Sequence, residues 1–113
     1  MAVTGIGGVF FRARDPDGLA KWYQTHFGIG FPWEQQAGTT VFAPFKADTD
    51  YFPADRQWMI NLRVDDLDGL LAALAAAGIA TETRAEWDTP ETGRFARIHD
   101  PEGNPIELWQ PPG

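Results

Sequence analysis

The 113-residue sequence contains no cysteine and no serine, and it has only two histidines. The absence of cysteine excludes disulfides, thiolate catalysis and cysteine-ligated zinc. The absence of serine excludes a serine nucleophile, so the usual hydrolase triad cannot form.

Positive charge is also scarce, with nine Lys and Arg against sixteen Asp and Glu, a net charge of −7 and a pI of about 4.6. Because contacts to phosphates need clustered basic side chains, we expect no nucleic-acid partner. No apolar run approaches the roughly 20 residues of a membrane span, and the first four residues lack the basic segment of a signal peptide. We therefore expect a cytoplasmic protein without a membrane partner, whose charge suits neutral or cationic ligands.

Twelve glycines and nine prolines are typical of strands and turns rather than of a helical bundle. Asp15-Pro16 and Asp66 predict the starts of two helices, which Gly28 and Gly78 end. The predicted helices cover residues 16–27 and 67–77. The predicted strands, in chain order, are 3–14, 31–34, 39–43, 57–65, 81–86, 93–99 and 105–110, with a loop at 47–52 and a turn at 100–104.

The two halves of the chain repeat one pattern. Residues 11–19 align with residues 62–70, so that Gly18 matches Gly69 at an offset of 51 residues. A period near half the chain indicates two copies of a β-α-β-β-type unit. If the helices cover one side of each sheet, the opposite sides together form a concave cleft.

Three segments, FFRARDPDGLAKWYQTHFGI, NLRVDDLDGLLAALAAAGI and the closing DPEGNPIEL, resemble the vicinal oxygen chelate superfamily of glyoxalases, bleomycin-resistance proteins and extradiol dioxygenases. The resemblance implies one α+β domain of two βαβββ modules, at about residues 1–53 and 54–113. They form a curled mixed sheet with a concave cleft and helices on its outer face. It also implies a homodimer, the assembly of most small members.

The metalloenzymes of this superfamily carry four His, Glu or Gln ligands, and the resemblance places these positions at Gly8, Thr40, Met59 and Glu107. Glycine offers no ligand atom, threonine is a weak ligand, and a thioether suits soft ions only. One carboxylate without a positioned imidazole does not hold zinc, nickel, manganese or iron tightly. We therefore expect no metal and no other cofactor.

Strand alternation selects the side chains of the cleft. Ile106 and Leu108 point away from it, so Glu107 faces into it, and the aromatic residues of neighbouring strands add flat walls. Glu107 and His99 are the only candidates for acid–base catalysis. The predicted ligand-binding residues are Phe10, Trp33, Thr40, Phe42, Met59, Asn61, Phe95, Arg97, Glu107 and Trp109.

The last hairpin predicts what replaces the metal. If residues 100–104 form its turn, Arg97 lies opposite Glu107 and Phe95 lies opposite Trp109. A guanidinium then pairs with the lone carboxylate near the place where the metalloenzymes hold an ion. Arg97 would also be available to an anionic or carbonyl oxygen of a ligand.

Three functions are compatible with these patterns. The leading hypothesis is a metal-independent protein that binds a small aromatic or cationic molecule in the cleft. The first alternative, a metal-dependent lyase, isomerase or dioxygenase of the glyoxalase type, needs two more ligands, for which only Gln35, Gln36, Gln57 and His99 are near enough. The second alternative is a protein-interaction module, which predicts an exposed apolar patch of several hundred Å² and no enclosed pocket.

Overall fold

A computed structural model describes residues 2–113 of the chain. Its elements are helix α1 (Pro16–Phe27), strand β1 (Ile60–Arg63), helix α2 (Leu67–Ala76), a 3-10 turn (Ala85–Trp87), strand β2 (Arg94–His99) and strand β3 (Pro105–Gln110). Strand β3 lies at the centre of the sheet, parallel to β1 and antiparallel to β2. The fold is thus a small α+β arrangement with a three-stranded mixed sheet. Neither helix of residues 2–113 is long and apolar enough to cross a membrane.

The two helices begin in the same way, as the repeated sequence predicts. The carboxylates of Asp15 and Asp66 accept hydrogen bonds from the backbone N–H groups of Gly18 and Gly69, three residues further on. These caps satisfy donors that a helix N-terminus leaves free. Helix α1 ends at Gly28, whose φ of 68° is in the left-handed region that glycine adopts at low cost.

The core lies between the sheet and the helices. Residues Leu67 and Leu74 of α2 pack on the side of the sheet that carries Ile98, Ile106 and Leu108, and all five are fully buried. The apolar stripe of α1 adds Trp22, Tyr23 and Phe27 at the edge of this cluster. We call this side of the sheet the helix face. Alternation along each strand directs the intervening side chains to the other side, which we call the open face.

The strands predicted for the first half of the chain are absent. No residue between 2 and 59 belongs to a strand, so the predicted strands at 3–14, 31–34 and 39–43 are wrong for this structure. The double βαβββ arrangement is accordingly not formed within the described chain. A strand is stable only when a neighbour accepts and donates its backbone hydrogen bonds, and these segments have no neighbouring strand. In the second half, the predicted strand at 81–86 is reduced to a single bridge between Glu82 and Arg97.

The turn at residues 100–104 ties the two halves together. The buried carboxylate of Asp100 accepts hydrogen bonds from the backbone N–H groups of Glu102 and Asn104, the Asn104 side chain and the Tyr23 hydroxyl. The carboxylate of Glu102 in turn accepts from the backbone N–H groups of Arg14, at 2.6 Å, and Asp15, at 3.0 Å. The turn therefore positions the start of α1 beside the closing hairpin.

Candidate ligand-binding site

The open face of the sheet carries a row of polar and aromatic side chains. The strand register places Asn61 beside Glu107 on one flank and Arg97 opposite Glu107 on the other, while Phe95 lies opposite Trp109. The cross-strand pairing predicted from the hairpin is therefore confirmed. The rings of Phe95 and Trp109 stack nearly parallel, with centroids 6.3 Å apart and an interplanar angle of 7°.

Glu107 lies at the centre of this row and is 9% exposed. One carboxylate oxygen accepts a hydrogen bond from Asn61 Nδ2 at 2.8 Å, and the other accepts a short hydrogen bond from the hydroxyl of Tyr51. A buried carboxylate is costly unless donors replace its water. Each oxygen thus has a neutral hydrogen-bond donor, which offsets part of the cost of burying the charge.

Arg97 is 8% exposed and does not pair with Glu107 directly. Within residues 2–113, no ion pair joins the two side chains, so the predicted direct pair is wrong. The guanidinium instead donates from Nη2 to the backbone oxygen of Tyr51 at 2.7 Å and lies 4.9 Å from the centre of the Tyr51 ring. It is also 5.9 Å from Trp87. The aromatic side chain of Tyr51 contacts both charged groups and takes the place of their direct contact.

Tyr51 is therefore the residue that connects the two charged groups of the site. Its pKa is raised to about 12, mainly by burial and next by the hydrogen bond to Glu107, while the nearby charge of Arg97 acts in the opposite direction. The hydroxyl is consequently a protonated donor at neutral pH.

Tyr51 belongs to residues 46–54, which we call the Tyr51 loop. The predicted loop at residues 47–52 is confirmed. The role of Tyr51 was not predicted, and its place directly after Asp48 and Asp50 is the only sequence signal that could have indicated it.

A cavity of about 690 Å³ opens beside these groups. Its volume is in the range of small-molecule sites. The Tyr51 loop forms one wall, and the edge of β2 with the 3-10 turn forms the other. Its lining includes Tyr51, Glu82, Arg84, Trp87, Arg97 and His99. Trp87, Arg84 and Glu82 are functional candidates that the sequence did not indicate, whereas His99 is exposed on the rim.

Several predicted site residues lie apart from this cluster. Phe10 and Phe42 are 93% and 75% exposed, and Thr40 and Trp33 are exposed as well, because the strands that were to position them are absent. Met59 is half-buried immediately before β1. The structure thus brings together Asn61, Arg97 and Glu107 around Tyr51, places Phe95 and Trp109 in a stacked pair, and leaves the first-half residues out.

The four positions that correspond to metal ligands do not fit a divalent ion. Gly8 has no side chain, Thr40 is exposed, Met59 offers a thioether, and both oxygens of Glu107 accept hydrogen bonds within the protein. Across residues 2–113 there is no group of three or more His, Asp or Glu side chains arranged to hold a metal.

The family model of the glyoxalase-like domain matches residues 8–109. The chain belongs to the glyoxalase-like family. The expected membership of the vicinal oxygen chelate superfamily is thereby confirmed. This glyoxalase-like protein is similar in structure to TnmS3, an antibiotic binding protein from Streptomyces sp. CB03234, at 27% identity over 98% of each chain with a TM-score of 0.61.

A second solved structure, a glyoxalase/bleomycin resistance protein from Streptomyces sp. CB03234, is 35% identical over 55% of this chain and 54% of its own, with a TM-score of 0.37. No curated protein matches the sequence. The family and the fuller structural match describe a glyoxalase-like protein, with TnmS3, an antibiotic binding protein, as a similar structure.

Proposed function

We propose that this glyoxalase-like protein binds a small organic molecule, of the size and kind of an antibiotic, between the Tyr51 loop and strand β2. The main supporting observation is the buried Arg97 guanidinium, which lies near two aromatic rings, those of Tyr51 and Trp87, at the wall of a cavity of about 690 Å³. The cavity combines aromatic surface with oriented charged side chains, and such convergent polar groups give a small-molecule pocket its specificity. The antibiotic binding of the similar TnmS3 supports the same function.

The side chains of the cavity favour an aromatic ligand. Trp87 offers a ring surface in the cavity, and the stacked Phe95 and Trp109 continue the open face. Acidic side chains at Asp48, Asp50 and Glu82 line the loop side of the cavity, so a cationic substituent is compatible with its rim. Arg97 suits a carbonyl or other acceptor oxygen of the same ligand.

We infer further that binding is metal-independent and that the molecule is sequestered rather than converted. The chemistry of the four corresponding positions supports this inference, because their side chains do not form a ligand set. The alternative function, a metal-dependent lyase, isomerase or dioxygenase of the glyoxalase type, needs metal ligands in addition to Glu107. Residues Gln35, Gln36 and Gln57 are exposed, and His99 is a rim residue, so none is bound to Glu107.

We also propose that the protein is a homodimer in which the first half of one copy covers the free edge of strand β1 of the other. Among residues 2–113, strand β1 pairs only with β3, so its other edge is free. The first half supplies unpaired segments rich in exposed apolar side chains, among them Val9, Phe10 and Phe42. Exposed apolar surface also supports the protein-interaction hypothesis, and we assign the partner as a second copy because each copy offers both surfaces.

The binding proposal is tested with a panel that contains bleomycin and planar aromatic antibiotics, neutral and cationic. A bound compound raises the melting temperature by several degrees when its concentration is about 100 times Kd. Calorimetry then compares Arg97→Met with Arg94→Met. Arg94 belongs to the same strand but pairs with Asp68 at the start of α2, away from the cavity.

We expect Arg97→Met to weaken binding by about tenfold or more, because it removes a charged donor from the site. Arg94→Met should retain the affinity of the unchanged protein. The proposal is overturned if no compound of the panel changes the melting temperature, or if the two variants lose affinity equally.

A further inference from the structure

We propose that Tyr51 is an internal occupant of the ligand site, a phenol plug that a ligand must displace, and that the site selects ring systems with a hydroxyl donor for Glu107. The inference deepens the proposed function and rests on its assignment of the ligand site. It adds a closed state to that site and a requirement on ligand chemistry.

The contacts of Tyr51 are those of a bound aromatic molecule. Its ring lies against the Arg97 guanidinium, and its centroid is 6.1 Å from Trp87 in an edge-to-face arrangement at 66°. Its hydroxyl donates to Glu107, and its backbone oxygen accepts from Arg97. One residue therefore uses the aromatic wall, the carboxylate and the cation of the open face together.

Tyr51 is also the link between its loop and the sheet. The hydrogen bonds of residues 46–54 in the described chain are local, from Thr49 N to Lys46 O, from Tyr51 N to Thr49 Oγ1 and from Arg56 N to Pro53 O, apart from the two that join Tyr51 to Glu107 and Arg97. Phe45 packs on Tyr51 at 5.7 Å, as part of the same half of the chain. Release of the Tyr51 hydroxyl from Glu107 and of the Tyr51 backbone oxygen from Arg97 therefore frees the loop from the open face.

An anchor after the loop keeps its far end in place. Arg56 donates to the backbone oxygen of Glu102 at 2.9 Å and to Asn104 Oδ1 at 3.2 Å, which joins it to the turn before β3. The loop can thus swing out while residue 56 remains docked. Such an arrangement permits opening without unfolding of the sheet.

The closed state leaves one donor without a partner. Arg97 Nε is buried and makes no hydrogen bond within the described chain. An unpaired buried donor is unfavourable, so the plug fills the site without satisfying it. A ligand with an acceptor for Arg97 and a hydroxyl for Glu107 satisfies both groups, whereas a ring without a hydroxyl leaves the Glu107 oxygen unpaired. This difference is the source of the selectivity.

Because a ligand binds only to open molecules, the apparent affinity equals the intrinsic affinity multiplied by the fraction of molecules that are open. The first test needs no ligand and follows the Arg97 Nε–H proton by nuclear magnetic resonance. Tyr51→Phe keeps the ring but removes the bond to Glu107, and we expect exchange of this proton with water to become about tenfold faster, since the population of the open state rises. Tyr23→Phe is the matched control, because it removes a phenol–carboxylate bond to Asp100 outside the open face.

The second test replaces the missing Tyr51 side chain by a free molecule of the same structure. p-Cresol has the structure of a tyrosine side chain, and we expect it to shift the Arg97 Nε resonance of Tyr51→Ala at concentrations about tenfold below those needed for the unchanged protein. Toluene, which lacks the hydroxyl, should bind more weakly, and Glu107→Gln in the same background should reduce the preference for p-cresol. Circular dichroism verifies that each variant is folded, and Tyr51→Phe supplies the result if Tyr51→Ala is not.

Equal exchange rates in Tyr51→Phe and the unchanged protein, or equal p-cresol affinities with and without Tyr51, would overturn the plug. A failed antibiotic panel together with p-cresol binding only to Tyr51→Ala contradicts the proposed function and leaves the plug standing. The two proposals are therefore separated by experiment.

Discussion

Glu107 shows how a position that corresponds to a metal ligand is used without a metal. Its two oxygens accept from Asn61 and Tyr51, so the cost of burying the carboxylate is offset by neutral hydrogen-bond donors. The arginine that strand register places opposite it contacts the aromatic ring between them. At the scale of single residues, the phenol of Tyr51 contacts both the carboxylate of Glu107 and the guanidinium of Arg97 on the open face.

The ionisation of Tyr51 reports this arrangement. Its pKa in the folded protein is about 12, above the ordinary value of 10.0, so the folded and closed form holds the proton more tightly than the open form. The contribution of the protonated Tyr51 hydroxyl to the stability of the closed loop is fully present below about pH 10. It is lost as the pH rises through about 12. An absorption titration at the phenolate band should show no tyrosine that ionises near pH 10, because burial and Asp100 also raise the pKa of Tyr23.

The variant Glu107→Gln should lower the pKa of Tyr51 toward its ordinary value, because it removes the negative charge that disfavours the phenolate. Tyr23 should titrate unchanged in this variant. A Tyr51 pKa that does not respond to Glu107→Gln contradicts the hydrogen bond between the two side chains.

At the scale of elements, the helix starts are the most locally encoded features of the fold. Asp66 caps α2 through the backbone N–H of Gly69, and loss of such a cap costs about 1 kcal/mol. Asp66→Ala should therefore lower the free energy of unfolding in urea by about 1 kcal/mol. Asp65→Ala, a neighbouring exposed carboxylate, should change it by less than about 0.5 kcal/mol. Equal effects of the two substitutions would show that the cap does not stabilise α2.

The DPEGN turn, part of the closing segment that resembles the family, has a structural role here. Asp100 is 4% exposed and accepts four hydrogen bonds. Asp100→Ala leaves these donors unpaired and should cost about 3 kcal/mol of unfolding free energy, measured by urea denaturation. Glu91→Ala, at an exposed position, is the control. A cost below about 1 kcal/mol would contradict the structural role of the turn.

At the scale of the whole molecule, the unpaired first half determines the assembly that we propose. Light scattering should give twice the chain mass of 12.5 kDa. Phe10→Asp, which places a charge on a 93% exposed ring position, should shift the mass toward that of one chain, because burying an unpaired carboxylate in an interface is costly. Thr25→Asp, an exposed position on α1, should leave the mass unchanged. A mass of 12.5 kDa for the unchanged protein at tens of micromolar, the range in which a stable dimer persists, contradicts the dimer.

Metal independence is tested on the same scale. Purified and dialysed protein should contain well below about 0.1 equivalent of zinc, nickel, manganese or iron, since the four corresponding positions supply one carboxylate between them. Elemental analysis measures this content, and a chelator should leave ligand affinity unchanged. A stoichiometric metal that survives dialysis and is required for binding contradicts the proposal.

The sequence by itself determined the features that depend on neighbours in the chain. The caps at Asp15 and Asp66 mark both helices, and the short turn before β3 sets the register that places Arg97 opposite Glu107. Only the tertiary structure decided the rest. Tyr51 reaches Glu107 across 56 residues of sequence, and a loop has no periodicity from which such a contact is predicted. The segments of the first half likewise have strand-like sequences but form no strands, because a strand depends on a partner that local sequence does not specify.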